Sequence, residues 1–276
     1  MDIKCAARQR RAAAVGGVDM AEASQSKPVV ALQMYTVRDE AQKDFVGTLK
    51  AVAAMGYPAV QFAGTFDLSA KELRRVLDDL GLKVAGAHVG FDALESQLEE
   101  QIVYFREIGT IDLVVPALPQ ARRADKNGYR QVAESMNAIG QRLKDVQMRL
   151  SYHNHAFEFE RFDSAYALDL LLEWCPADLL KWEPDVYWIK VGGEDSVRYI
   201  RKYSGRCPLI HLKDMSKDES RTFAEVGEGI IDWPPIFEAS EKNRAEWYVV
   251  EQDRWARPSL EAAKLSLQHL KEWGKV

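Results

Sequence analysis

The chain has 276 residues and a formal net charge of −5, from 37 Lys+Arg against 42 Asp+Glu, with 47% hydrophobic and 29% charged residues. That balance is typical of a folded globular chain, and its acidity argues against a general nucleic-acid binder, which needs a basic surface to displace counterions. No apolar run reaches the ~20 residues that span a bilayer, and Cys5, Cys175 and Cys207 are too few and too scattered for a disulfide framework or a zinc-finger spacing, so the chain reads as a reduced, cytoplasmic protein with neither nucleic acid nor membrane as partner.

Residues 1–27 read as a disordered leader ahead of a folded domain spanning 28–276. Arg8, Arg10 and Arg11 precede small apolar residues, but that stretch runs for only about six residues before Asp19, short of the ~7–15 of a secretion signal. Met20 is a second candidate start.

From Val29 one pattern repeats: a short apolar or β-branched run, a loop, then a longer stretch with apolar residues at helical spacing. The runs are 29–34, 59–62, 83–88, 113–116, 149–153, 180–186, 208–212 and 247–251. The helical stretches are 45–55, 70–80, 94–108, 129–146, 165–174, 196–203 and 235–241, with 259–273 closing the chain. Gly56, Gly81 and Gly109 stand where the chain leaves a helix in a left-handed conformation. Strand and helix repeated eight times imply parallel strands with right-handed crossovers. A doubly wound sheet would share this alternation, yet the first run leads into Gln33-Met34-Tyr35-Thr36-Val37-Arg38, with no G-x-G-x-x-G. The expected fold is a single α/β TIM barrel, (β/α)8.

In such a barrel the chemistry lies at the C-terminal strand ends. Here those ends carry His88, Tyr152-His153-Asn154-His155 running on to Glu158, Asp185, His211-Leu212-Lys213-Asp214 and Glu251-Gln252-Asp253. Four of the five histidines fall there; His269 falls on a helix. Residues two apart share a face, so Ser151, His153 and His155 group together, as do His211 and Lys213. Several carboxylates converging in a partly dry mouth repel one another unless a positive charge compensates. Imidazoles with carboxylates make a mixed N/O site of the kind that suits Mn²⁺, Mg²⁺ or Co²⁺. Against this, a lone strand-end histidine such as His88 serves equally as a hydrogen-bonded structural residue.

These residues carry a resemblance. From Pro28 to the C-terminus the chain resembles the xylose isomerase-like TIM-barrel superfamily of sugar phosphate isomerases/epimerases. The matching segments are Leu32-Gln33-Met34-Tyr35-Thr36-Val37-Arg38, Tyr152-His153-Asn154-His155 with Glu158-Phe159, and Asp185-Val186-Tyr187-Trp188 with Lys190. They continue with residues 205–214, 226–233 and 250–253. The resemblance implies one divalent metal, often Mn²⁺, held by Glu, Asp, His and Glu from strands 5 to 8. Asp185, His211 and Glu251 match three of these positions. Where many members have Glu followed by Asn-His, this chain has His153 followed by Asn154-His155. Either His153 is the ligand, or Glu158 reaches the metal while His153 and His155 face substrate; a hard cation favours the Glu158 carboxylate.

The chemistry implied is proton transfer beside a carbonyl, with Glu158 or Glu251 removing the proton and Lys213 and His88 polarising or protonating oxygens. For Lys213 the alternative is a surface ion pair with Asp214. Gln33, Tyr35 and Arg38 are placed to hydrogen-bond sugar hydroxyls, and Phe62 and Trp188 to stack on a sugar face. The connection 215–232 exceeds what a βα loop needs and reads as a cover over the mouth. The resulting expectation is a divalent-metal-dependent isomerase or epimerase of a small-molecule sugar. Its alternative is a metal-dependent lyase or dehydratase acting on a keto sugar, keto inositol or 3-keto glycoside. A non-catalytic sugar-binding protein is a third class, and an abasic-site endonuclease would demand more histidines and a basic groove. Oligomeric state is left open, a homo-oligomer included.

Overall fold

The structure, a computed structural model, describes residues 27–276; all but the last residue of the leader, and Cys5 with it, lie outside the described residues. Eight parallel strands form one sheet: β1 (Val29–Gln33), β2 (Ala59–Phe62), β3 (Lys83–His88), β4 (Asp112–Val115), β5 (Arg149–His153), β6 (Lys181–Glu183), β7 (Leu209–Leu212) and β8 (Trp247–Val250). Their order is β6-β5-β4-β3-β2-β1-β8-β7, and a parallel bridge between Asp185 and His211 closes the ring from β6 to β7. This is the expected TIM barrel.

The strand alternation explains where the chemistry sits. One face of the strands carries Val30, Leu32, Val60, Phe62 and their equivalents into the main core against the helices. The other gathers Ala31, Ala59, Ala85, Leu209 and Val249 into a separate apolar layer. Two residues further along four of those strands stand Gln33, Gln61, His211 and Glu251, all buried. Period two thus places a polar layer directly on the apolar one, at the C-terminal end of the barrel. The opposite end carries an ion-pair group in which Asp112 is buried, Arg149 partly buried and Glu246 exposed. Arg149 grips Asp112 with two hydrogen bonds of 2.7 and 2.6 Å and reaches Glu246 at 2.6 Å.

Gly56, Gly81 and Gly109 have φ of 96, 66 and 91°, the left-handed exits their sequence positions predict. Several boundaries differ, each for a local reason. The stretch 94–108 is two helices, Phe91–Ser96 and Leu98–Glu107, broken at Gln97, whose φ of −135° leaves helical space. The run 180–186 is strand only to Glu183, since Pro184 has no N–H to pair and Asp185 starts the helix Val186–Val191. The helix expected at 129 starts at Lys126, because Asp125 accepts a hydrogen bond from Gly128 N at 2.8 Å. The helix expected at 235 begins at Trp233, with prolines in its first turn, where their missing N–H groups cost nothing. Ala165–Tyr166 pairs with Arg161–Phe162 as a small hairpin, and the helix follows at Ala167–Trp174. No helix among the described residues is long and apolar enough to cross a membrane.

Candidate active site

Four side chains from the ends of β5 to β8 meet: His153, Asp185, His211 and Glu251 each bring a ligand atom within 4.8 Å of the other three. His153 Nε2 is 3.2 Å from Asp185 Oδ2, and His211 Nδ1 is 3.0 Å from Glu251 Oε2. Asp185 is held by its backbone and by one of its own oxygens. Its N–H donates to Asn154 Oδ1 at 3.1 Å, and its Oδ1 caps the following helix by accepting from Trp188 N at 3.0 Å. The other oxygen is left for the site.

The donor set fits a divalent cation. His153 Nδ1 lies 3.1 Å from the Pro116 carbonyl, which only accepts, so Nδ1 carries the proton. Nε2 is then the nitrogen turned to Asp185 Oδ2, the one that a cation shared with that carboxylate would take. Two imidazole nitrogens and two carboxylate oxygens suit Mn²⁺, Co²⁺ or a similar ion, and fixed second nitrogens are how proteins orient such ligands. Lys213 supplies positive charge from within the chain. Its Nζ is 3.1 Å from Asp185 Oδ2, 3.0 Å from Glu251 Oε2 and 2.8 Å from Asp253 Oδ1. Burial works against charge at Asp185, yet Lys213 and His153 hold its carboxyl down at about 2. Glu251 is held well below the usual range against its burial, again by Lys213 and by His211. Lys213 is buried, but the three carboxylates push its pKa up. The alternative reading of Lys213, a surface ion pair with Asp214, is not what the structure shows.

Beneath this group lies a second one, His88, Glu183 and His211, with ligand atoms equally close. It differs in that its carboxylate is fully engaged by hydrogen bonds within the protein. Glu183 Oε2 is 2.9 Å from His88 Nε2 and 3.2 Å from His211 Nε2, and Oε1 accepts from Gln61 Nε2 at 2.6 Å. Gln61 Oε1 accepts from Gln33 Nε2 at 2.7 Å and lies 2.8 Å from His211 Nε2. Burial opposes the charge on Glu183, but His211 and His88 hold it ionised. Burial would also discharge His211, yet Glu183 and Glu251 on either side push its pKa up to about 10 in the cation-free chain. His88, buried with weaker compensation, is pushed down and stays neutral.

Over both groups opens a cavity of about 1010 Å³. Among its walls are Tyr35, Arg38, His155, Trp188, Phe223 and Asp253. The long connection after β7 contributes Ser220, Thr222 and Phe223, so it does cover part of the mouth. Buried Asp214 anchors it. Its Oδ2 accepts from Gly227 N, Gly229 N and Trp233 Nε1, and its Oδ1 from Met215 N and Ile231 N. A Cβ on Gly229 would overlap that carboxylate.

The structure distributes the candidate residues unequally. His88, His153, Lys213 and Glu251 line the cavity, with Asp185 and His211 buried against them. Tyr35, Arg38, His155 and Trp188 also line it; His155 Nδ1 and Trp188 Nε1 are buried and have no hydrogen-bond partner among the described residues. Burial pushes the His155 imidazole down to about 3, which keeps it neutral. Three expectations change. Glu158 does not join the cluster; both of its oxygens are engaged, one by the Tyr152 hydroxyl and one by His155 N at 2.7 Å, and burial pushes its pKa up to about 7. Gln33 lies under the pocket, bonded to Gln61, and Phe62 points away into the main core. Glu183, Gln61 and Asn154 were missed. Glu183 was legible as the residue two before Asp185 on an inward-facing strand, but a neutral amide in a β-run offers no comparable signal.

Known proteins resemble this chain in sequence and fold. A family model described as xylose isomerase-like TIM barrel matches residues 49–273. An inosose dehydratase of Geobacillus kaustophilus is 24% identical over 245 residues, 75% of this chain and 79% of that protein. An inosose dehydratase of Clostridium perfringens is 22% identical over 270 residues, 84% of this chain and 90% of the other. A solved sugar phosphate isomerase/epimerase from Parabacteroides distasonis superposes with a TM-score of 0.80 at 23% identity, over 95% of this chain and all of that one, which establishes likeness of fold.

Proposed function

The chain belongs to the xylose isomerase-like TIM-barrel family, and from that premise we propose that it is a divalent-metal-dependent lyase that removes water from a polyhydroxylated cyclic ketone of the keto-inositol or keto-sugar class. The observation that carries this reading is an unlike pair facing the cavity. His88 is a neutral imidazole backed by the ionised Glu183, and Lys213 is an ammonium kept charged by three carboxylates. Elimination needs one group that takes a proton and another that gives one, whereas epimerisation needs two that exchange roles on opposite faces. The β5 position where the family more often has a carboxylate is held by His153, and Glu158 is turned into the wall.

His153, Asp185, His211 and Glu251 would hold the cation, Mn²⁺ foremost. When bound, it supplies Lewis-acid stabilisation of the negative oxygen that develops as the carbon beside the carbonyl loses its proton. His88 accepts that proton at Nδ1, the nitrogen left free when Nε2 is engaged by Glu183. Glu183 then stands against the charged ring, as a carboxylate steadies an imidazolium in catalytic triads. The C–H electron pair forms the new C=C bond, the β C–O bond breaks, and Lys213 Nζ delivers the proton that turns the departing hydroxide into water. Trp188 and His155, side by side in the cavity wall, pack against the substrate ring. The segment 220–223 limits entry of bulk water, held in place by Tyr187 Oη donating to the Arg221 carbonyl at 3.0 Å.

The relatives named inosose dehydratase support this choice of reaction. The test is incubation of the purified protein with Mn²⁺ and an inosose, following the loss of one water by mass spectrometry and the rise of enone absorbance. If the protein instead exchanges the α-proton with deuterated solvent and inverts a sugar centre, with no water lost, it is an epimerase and the proposal fails.

A further inference from the structure

Glu183 lines no part of the cavity and touches no substrate position, yet it organises both the cation group and the substrate-facing base. An ionised carboxylate only accepts hydrogen bonds, so each of its three partners must donate. His88 therefore carries its proton on Nε2. Gln61 must turn its Nε2 toward Glu183 Oε1, which aims Gln61 Oε1 at Gln33 Nε2 and His211 Nε2. His211 Nε2, between that amide oxygen and Glu183 Oε2, must donate as well. Gln33, anchored by Tyr35 N, fixes the Gln61 amide from the other side, and the carboxylate sets the protonated nitrogen of two imidazoles. The two rings lie nearly parallel, 10° apart with centroids 5.2 Å from each other.

We propose that Glu183 is a positioning residue that locks His88 and His211 in the same Nε2–H form, freeing Nδ1 of His211 for the cation and Nδ1 of His88 for the substrate. Saturation of every Glu183 contact by a protein donor argues against a second metal ion in this lower group. Glu183→Gln shows the logic. A glutamine has one accepting oxygen where the carboxylate has two. If that oxygen stays on the imidazoles, its amide faces the Gln61 amide. Gln61 is kept from turning over by Gln33, whose Oε1 accepts from Tyr35 N and whose Nε2 donates to Gln61 Oε1, so the new glutamine turns instead and presents its NH₂ to His88 Nε2 and His211 Nε2, which drives their protons to Nδ1, the atom the cation needs in His211.

The experiment compares the native chain with E183Q, using Zn²⁺ as a diamagnetic probe. Imidazole ¹⁵N shifts assign the protonated nitrogens, titration calorimetry gives the Zn²⁺ affinity, and circular dichroism reports the fold. The native Zn²⁺ form shows Nε2–H at His88 and His211, and folded E183Q loses that pattern and binds Zn²⁺ about 10–100-fold more weakly. Native His88 protonated at Nδ1 overturns the proposal, and so does a folded E183Q with native Zn²⁺ affinity and unchanged tautomers. If E183Q does not fold, the native spectrum alone still decides. Both readouts are taken without substrate, so their failure is separable from failure of the proposed reaction, which the inosose assay tests by itself.

Discussion

Lys213 Nζ lies 3.1 Å from Asp185 Oδ2, in contact with one of the four side chains that would hold a cation. Two positive charges therefore draw on the same carboxylates. In the cation-free chain Lys213 pairs with Asp185, Glu251 and Asp253, and is the first of the groups that hold Asp185 and Glu251 ionised. Lys213→Met should leave those buried carboxylates uncompensated and lower stability by about 3 kcal/mol or more. Saturating Mn²⁺ should then raise the melting temperature of the variant by more than that of the native chain. Thermal unfolding of both, with and without Mn²⁺, checks this; equal shifts would show that the ammonium and the cation do not compensate the same charges.

Asp185→Asn keeps the helix cap to Trp188 N through the remaining oxygen, so the barrel should fold. Mn²⁺ affinity should fall by more than the ~100-fold typical of losing an outer partner of a ligand. Calorimetric titration measures it, and near-native affinity would remove Asp185 from the ligand set.

Glu158 predicts a pH dependence of stability. Its carboxyl rises from 4.5 when unfolded to about 7 when folded, through burial. The folded chain therefore keeps a proton that the unfolded chain has lost, and stability from this group declines as pH rises across that window. The decline amounts to about 3 kcal/mol for the shift. Glu158→Gln carries no such charge, and its amide replaces the acid proton toward the Tyr152 hydroxyl. Urea unfolding at pH 5 and pH 8 should find the variant nearly level in this contribution and the native chain weaker at pH 8. Equal slopes for both would refute the burial of an ionisable Glu158.

Asp214→Asn tests the cover. Either orientation of the amide turns its NH₂ toward at least two of the N–H groups the carboxylate now satisfies. The expected outcome is a loss of about 2–3 kcal/mol and a KM raised several-fold, the charge of the cation group being untouched. Unchanged KM would show that residues 220–223 contribute nothing to substrate retention.

Much of this was readable along the chain because barrel strands obey strict alternation. β2, β3 and β5 fall where their apolar runs predict, and the polar strand ends sit on one inward face. What alternation does not give is depth. Glu183 and Asp185 belong to the same inward row, yet Asp185 reaches the cation group and Glu183 the layer below, because the strand ends at Pro184 and the chain turns into a helix. Glu158 was misplaced for a related reason. Carboxylate hardness favours it as a ligand, but the short helical turn Phe157–Phe159 folds it back onto Tyr152 and His155. Gln61 gives no sign at all until its neighbours are in place.

The packed layer of Ala31, Ala59, Ala85, Leu209 and Val249 beneath the polar one gives the cavity a floor. In the proposed reaction a ketone that enters past Tyr35 and Trp188 meets that floor, so the dehydrated ring and the water released from it would depart by the route of arrival. Residues 220–223 stand on that route, and turnover can then be paced by how often the doorway clears.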